Sequence, residues 1–565
     1  MAGTWLLGEQ KVRPGTYYRV SSGDVTTVGA VNGVAAVIFH SNWGTMNRVV
    51  DVSQSDMNNL HSMFGGGEGV QAIKEALLGG ATTVKAVRVG TTGTGSAQKA
   101  YVYAPNKDYV RKAQVTIDAN GKGSFLTTKM TPVRTYKQSI KVRLNGWYKS
   151  GKYLIKTTDY KITQTKTAGN YTKREIQLTA SGLAKLGADR KIRIYEYYTI
   201  KGAKLAYIYS RKRGDYGFTC SLQTNLITGK RQMNFYDERG LFDSVTFEAG
   251  GNEVQKLKTA LDGSAKFYMA KVYGSGVLGN FASRKMTKGT NPTVTVADYS
   301  NATDLLERHY WNVLLADSNT TNVRSLLTEY VKQSYETGRL GMAVIGSNAT
   351  ASFDSRLAFA TAVNDWRVVY VANSWTDING TEYSGWKAAA RIGGMIAACE
   401  TNASLTHIVI SNATELLNPM TNGEMIQAEE KGCLCLSYND EGQVWIDNAI
   451  NTLITLGNDQ DEGWKKIRRT KCRFELMTRI NRTCDKLIGR LNNDTNGRAT
   501  LITAMQSIIN EMIAEGKLFF GSYVAEDTRY KPAGDRAYFV LYISDIDSIE
   551  KVYLDFNFTY ANRFE

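Results

Sequence analysis

The sequence predicts a mixed α/β, multidomain chain: a doubly wound α/β core, an inserted all-β sandwich and extended arms at both termini. Three observations carry this. Short apolar runs alternate with helical stretches in two separate parts of the chain. Between those parts, residues 98–203 change texture to short alternating runs rich in Lys, Thr and Tyr. At the C-terminus Val552, Leu554, Phe556, Phe558 and Tyr560 place an apolar side chain at every second position, the period of a strand with one buried face. The boundaries that follow are an N-terminal arm over 1–30, a first core part over 31–97, the all-β insertion over 98–203, a β-rich domain over 204–300, an α/β core over 301–450, a C-terminal domain over 451–549 and an arm strand over 550–565.

Residues 1–30 show little helical periodicity and contain Pro14 and Gly15, so they read as extended chain. Gly33 to Ser41 (GVAAVIFHS) reads as a buried strand. Ser53 or Ser55 caps a helix running to Met63, which Gly65 to Gly67 stop. A helix from Val70 to Leu78 then leads to a strand from Thr83 to Val89. The triple glycine is not a phosphate loop, because no Gly-Lys-Ser/Thr follows it.

In the insertion, Ala113–Asp118 and Ser124–Thr128 flank Asn120-Gly121, a hairpin signal. Further short strands are expected at Ser139–Leu144, Tyr153–Thr157, Tyr160–Gln164, Glu175–Leu178 and Lys191–Tyr197. About seven short strands in about a hundred residues suggest an immunoglobulin-like sandwich. The net charge of +16 lies here. Residues 99–201 hold 22 Lys/Arg against 6 Asp/Glu, and the remainder holds 47 of each. A basic excess confined to one segment points to an anionic partner for that segment and not for the whole chain.

Beyond it, LAYIYSRKRGDYGFTCSL reads as strand, turn and strand. Tyr273 to Asn280 holds a nominal GxGxxG after an expected strand, Lys266–Tyr273, but FASRKMTKGTNPTVT reads as loop, so the helix N-terminus of a dinucleotide site is missing. Asp298–Ala316 and Asn322–Thr337 read as helices, Leu340–Gly346 as a strand, Ser352–Val363 as a helix and Arg367–Ala372 as a strand. A Gly/Ala-rich helix follows over Ser384–Glu400, then a strand over Leu405–Ser411. Ser404 and His407 lie close in sequence, but no partner carboxylate is evident and the pair reads as structural. The six cysteines, among them Cys433, Cys435, Cys472 and Cys484, lack a CxxC pair and read as free core thiols. No apolar run reaches the length of a membrane span, and the first fifteen residues lack the basic start and apolar core of a signal peptide.

The last quarter, Gly432 to Glu565, holds a buried strand, a basic amphipathic helix over Trp464–Leu491, a second apolar helix and the terminal strand. The basic helix sets Ile467, Phe474, Met477, Cys484, Ile488 and Leu491 on one face and Lys465, Lys466, Arg468, Arg469, Lys471, Arg473, Arg479, Arg482, Lys486 and Arg490 on the others. Such a run reads either as a solvated face or as a contact for an acidic partner.

These residues also carry a family likeness. INTLITL at 450–456, the IRRTK and FELMTRIN helix, the N-D-x-N-G-R of Asn493 to Arg498 and DIDSIEKVYLDF at 545–556 resemble contractile phage tail sheath proteins, above all the sheaths of phages and defective prophages of Gram-positive hosts. KVRPGTYY (Lys11 to Tyr18) and GWKAAARIGGMIAACETNASLTHIVI (Gly385 to Ile410) are similar to the same family. The likeness spans most of the chain outside residues 98–203.

The resemblance implies a structural subunit, not an enzyme, without cofactor or metal. It would assemble as hexameric rings in a helical stack around a tail tube protein, meet baseplate and tail terminator proteins, and contract to drive the tube through the host envelope. It would be made in the bacterial cytoplasm and sit in the virion tail, with no nucleic-acid partner and no membrane insertion. Subunit-linking arms would comprise Lys11, Val12, Arg13, Pro14, Gly15 and Tyr17 at one end and Val552, Leu554, Phe556, Phe558 and Tyr560 at the other. Lys465, Arg468, Arg469 and Lys471 would face the tube. The basic insertion is either a solvated decoration or an attachment to anionic cell-wall polymers. Two other readings stay open: the sheath of a phage-derived bacteriocin or injection system, and an α/β enzyme with a carbohydrate-binding accessory module.

Overall fold

The structure, a computed structural model, describes residues 2–4, 16–18, 32–130, 135–145 and 153–558. The described residues divide into two compact units, one drawn from Met1–Gly95 and Asn291–Glu565, the other from Ser96–Thr290.

The first unit is built on a six-stranded sheet in the spatial order Val368–Val371, Met342–Gly346, Val313–Ala316, Val34–Phe39, Thr83–Arg88, Val49–Ser53. Its strands are parallel except the last, which runs antiparallel to Thr83–Arg88. The strand VAAVIF is buried at every residue, because helices cover both faces. Ala35, Val37 and Phe39 enter one apolar layer with the helices Gly69–Leu78 and Trp386–Ala398. Val34, Ala36 and Ile38 enter the other with Val296–Leu306 and Thr321–Glu336. This is the doubly wound core that alternation of strands and helices implied.

The Gly/Ala-rich helix shows why it has that composition. A Cβ on Gly394 would lie 2.1 Å from the carbonyl oxygen of Ala76, and one on Gly79 would lie 2.3 Å from that of Arg391. Only glycine lets these two helix backbones approach so closely. A buried ion pair fixes their register: Arg391 Nη2 stands 2.6 Å from Glu75 Oε2, with both side chains out of solvent. Arg391 also donates to the carbonyl of Ser411 (2.9 Å) and Glu75 accepts from Gln71, so the pair is solvated by the protein itself. Burial raises the Glu75 carboxyl above its ordinary value even against the pull of Arg391.

Two sequence expectations fail in this unit. Asp298–Ala316 is not one helix: the helix Val296–Leu306 ends and Val313–Ala316 is a strand at the centre of the sheet. Its four apolar residues have no periodicity to separate buried strand from buried helix. Leu405–Ser411 is not a strand either. It forms turns, with an isolated bridge from Val409 to Trp445, and His407 stacks on the Trp445 ring at 4.0 Å.

The second unit contains a seven-stranded sandwich over residues 107–200. One sheet has the order Tyr153–Leu154, Thr135–Leu144, Lys191–Ile200, Lys107–Thr116, and the other Tyr160–Ala168, Tyr171–Leu178, Lys122–Thr128. Val115, Phe125, Val142, Ile176, Ile192 and Ile194 fill the space between them. Asn120-Gly121 does not close a hairpin. The turn is there, with Gly121 N donating to the Asp118 carbonyl (3.1 Å), but Lys107–Thr116 and Lys122–Thr128 belong to opposite sheets. The chain turns the corner of the sandwich because both flanking strands carry inward apolar residues.

The rest of this unit holds a three-stranded sheet (Phe267–Ala270, Lys204–Arg213, Ala97–Tyr103) and a four-stranded one (Gly240–Phe247, Arg231–Asp237, Thr219–Thr224, Phe281–Lys285). Phe235 and Phe267 stack with centroids 3.7 Å apart in their core. Phe281–Lys285 corrects the sequence reading, which left FASRK as loop: the segment after GSGVLG is an edge strand, not a helix.

Candidate assembly interface

The C-terminal part of the first unit is built from two helices and a hairpin. Ile467–Leu487 and Thr495–Ala514 pack through Cys472, Leu476, Ile480 and Cys484 against Met505, Ile508, Ile509 and Met512. Asp494 starts the second helix by accepting from Gly497 N at 2.7 Å, a cap within the N-D-x-N-G-R run. Val524 and Ile543 complete this small core.

The hairpin pairs Tyr523–Glu526 with Phe539–Tyr542 in an antiparallel ladder, and among the described residues its sheet has only these two strands. Its two edges differ. Val524 N donates outward to the Gln506 side chain at 3.1 Å, so the second helix occupies that edge. Leu541, directly opposite Val524, is then also a position whose N–H and C=O point away from its partner strand. The Phe539–Tyr542 edge is the open one.

From that strand the chain crosses the basic helix. Ser544 accepts from Phe519 N (2.9 Å) and Ile546 N donates to the Lys517 carbonyl (3.2 Å). Asp545 takes two bonds from Arg469, one at 2.7 Å, with Arg473 at 3.6 Å. Asp547 lies 3.7 Å from Arg468. Glu550 pairs with Lys466 and accepts from Ser404 Oγ at 2.7 Å. Burial works against the charges of Asp545 and Glu550, but their cations outweigh it and hold both carboxyls below the ordinary value. Ser404 therefore serves the Glu550 anchor and not His407.

After Glu550 the support ends. Residues 551–558 pair with no strand, and Val552, Leu554, Phe556 and Phe558 are 69%, 70%, 69% and 92% exposed. The terminal strand with a buried face is thus corrected. The period-two pattern is present, but this chain offers the segment no sheet to join. Tyr560 lies outside the described residues. At the other end Lys11, Val12, Arg13, Pro14 and Gly15 also lie outside them, while Tyr17 falls in a short strand, Thr16–Tyr18, that pairs in parallel with Ala2–Thr4.

The four cations expected to face a tube are engaged inside the subunit. Arg468 is buried beside Asp547, and Arg469 is held by Asp545. Lys471 is buried, donates to the Cys399 carbonyl and is pushed down to about 8 by burial. Lys465 pairs along its own turn with Glu462 at 2.9 Å. The acid spacing Asp545, Asp547, Glu550 against Lys466, Arg468 and Arg469 was the available signal for this pairing. On the C-terminal half of the helix Arg482, Lys486 and Arg490 are exposed, Arg482 lying 5.0 Å over the Tyr310 ring.

The place where doubly wound sheets hold ligands, the switch point between Val34–Phe39 and Val313–Ala316, is filled by the chain's own groups. Asp317 accepts from His40 N (2.7 Å) and from Tyr299 OH (2.6 Å), and His40 Nδ1 stands 2.6 Å from it. Among the described residues no group of three or more His, Cys, Asp or Glu is placed to hold a metal, and no helix is long and apolar enough to cross a membrane.

Residues 293–452, which supply the three strands on one side of that switch point, match the family model described as the phage tail sheath protein central domain. The chain belongs to the phage tail sheath family. Its fold follows solved sheath proteins at low identity. A sheath tail protein from Desulfitobacterium hafniense is 16% identical with a TM-score of 0.60, covering 95% of this chain and 98% of its own. One from Listeria innocua is 12% identical with a TM-score of 0.55, covering 92% and 96%. The Bacillus subtilis protein YqbK is 21% identical over 295 residues, 50% of this sheath chain and 60% of its own length, so the match spans less than two thirds of that relative.

Proposed function

We propose that this sheath protein is the structural subunit of stacked hexameric rings around a tail tube, tied to its neighbours by strand exchange, and that repacking of those rings drives contraction. The observation that carries the proposal is a mismatch within one chain: an apolar, period-two tail without a sheet, beside a hairpin with one open edge. An extended segment and an open edge are the two halves of β-strand addition. The tail is launched from a fixed point, because Asp545, Asp547 and Glu550 bind the chain to the basic helix immediately before it. The tail of one copy therefore supplies the strand that the Phe539–Tyr542 edge of another lacks.

This arrangement suits a contractile lattice. Rigid subunits can change their mutual packing while short strand contacts keep them linked, a switch between discrete arrangements that needs no nucleotide. The N-terminal residues Lys11 to Gly15 and Tyr17 are proposed as the second linking arm. Contact with an acidic tube falls to Arg482, Lys486 and Arg490, which keep their charges at the surface.

A cross-linking experiment tests the exchange. Tyr542→Cys and Leu554→Cys are made as separate single variants, mixed and oxidised. The proposal expects a disulfide between the two variants and little within either alone. Absence of the mixed product under conditions where the chains assemble would refute tail-to-edge pairing.

A further inference from the structure

We propose that the outer face of the four-stranded sheet of the 107–200 sandwich binds an extended anionic polysaccharide. The inference stands on the second unit alone and does not depend on the sheath reading.

Register places the residues. On the face opposite Ile192 and Ile194, the rows read Gln114, Arg193, Arg143; then Lys112, Tyr195, Lys141; then Val110, Tyr197, Ser139. Tyr153 lies beside Arg143 on the edge strand. These rows contain no acid. Glu196, on the same strand, points inward, is buried and accepts from Thr128 N at 2.7 Å. Asp108 and Asp189 lie at opposite ends of the face, bonded to Thr199 and Asn145 respectively. Residues 129–158 carry eight Lys or Arg and no Asp or Glu, so the neighbouring segment adds cations only.

The cations are held without being neutralised. Lys141 Nζ lies 5.6 Å from the ring centres of both Tyr153 and Tyr197. The Arg143 guanidinium lies 4.4 Å from Tyr153 and 5.8 Å from Tyr195, and Lys112 Nζ lies 5.9 Å from Tyr195. A ring face attracts a cation through its quadrupole and leaves the full charge for another partner. No ion pair among the described residues involves Lys112, Lys141, Arg143 or Arg193. Slight burial works against ionisation of Tyr195, yet Arg143 and Arg193 at its hydroxyl hold the phenol below its ordinary value, the mark of a positive local field.

The pattern distinguishes between polyanions. Nucleic-acid bases need free aromatic faces for stacking. Here the faces of Tyr153 and Tyr195 are already occupied by guanidinium, and what projects is a lattice of phenol hydroxyls and cations. Strand spacing sets Lys112 and Lys141, two strands apart, at about 10 Å, and places cations on adjacent strands about 5 Å apart. A chain of sugars with regularly spaced carboxylates or phosphates matches both the charges and the hydroxyls.

The test titrates the full chain with polygalacturonate, with neutral dextran of equal length and with a single-stranded oligonucleotide. At low salt we expect polygalacturonate to bind, dextran not to bind, and the oligonucleotide to bind at least fivefold more weakly. Lys112→Gln and Lys141→Gln, both exposed, should each weaken polygalacturonate at least threefold with an unchanged melting curve. Lys161→Gln on the other sheet should leave binding unchanged. The proposal is overturned if polygalacturonate does not bind, if Lys161→Gln weakens binding as much as the face variants, if the oligonucleotide binds as tightly, or if the face variants disrupt association between copies of the chain, which would make this sheet a subunit contact.

Discussion

Replacing Leu554 and Phe556 together by serine separates association from folding. In the isolated subunit these side chains are 70% and 69% exposed, so removing them takes almost nothing from its core. Fully burying a Leu or Phe side chain contributes about 1.5–3 kcal/mol. Scaling by the exposed fraction, docking of the pair contributes about 2–4 kcal/mol to each junction, a factor of about thirty to about a thousand in the association constant. The entropy of ordering the tail opposes wild type and variant alike and drops out of the comparison. Surface substitutions of this kind change subunit stability by about 0.5 kcal/mol or less. Sedimentation velocity over a concentration series gives the association constant, and thermal unfolding below the assembly concentration gives the stability. The reasoning expects weaker association by at least about thirtyfold with an unchanged melting temperature. Unaltered association would refute tail docking, and a large loss of subunit stability would mean the tail belongs to the chain's own core.

Other parts of the structure give further expectations. Asp545 and Glu550 have folded-state values below those of an unfolded chain, so their stabilisation is complete above the ordinary carboxylate range of about 4 and is lost as pH falls through the depressed values; hydrogen exchange at residues 544–550 should rise there before the central sheet opens. Arg391→Met leaves Glu75 buried without its cation and should cost about 3–5 kcal/mol in denaturant unfolding, whereas a cost under about 1 kcal/mol would contradict the pair's role. Gly394→Val forces a side chain against the Ala76 carbonyl and should prevent accumulation of folded chain at 37 °C. Arg482→Glu with Lys486→Glu should weaken binding to an acidic tube protein in a salt-dependent way while leaving self-association intact.

Much of the core was legible in residues. VAAVIF, MAVIG and VVYV are apolar runs bounded by turn residues, and Ser352 caps its helix where the sequence places a boundary. VLLA was not legible, because a four-residue apolar run joined to a helical stretch fits either structure. The Asn120-Gly121 turn was visible, but not that its strands part into opposite sheets, which depends on pairing with residues far along the chain. The basic helix misled for a similar reason. A charge run reads as solvent-facing, and only tertiary structure brings Asp545 to Arg469 and Glu550 to Lys466. The tail pattern was read correctly as a strand period, but the period does not say which chain supplies the partner strand.

The central claim is that copies of this chain build a lattice through their termini. Electron microscopy of the purified full-length chain beside a variant ending at Glu550 tests it most directly, since the truncation keeps the anchor and removes only the unpaired tail. The account predicts rings or tubes from the full chain and dispersed, folded subunits from the truncated one. Rings or tubes of equal abundance from both would contradict it.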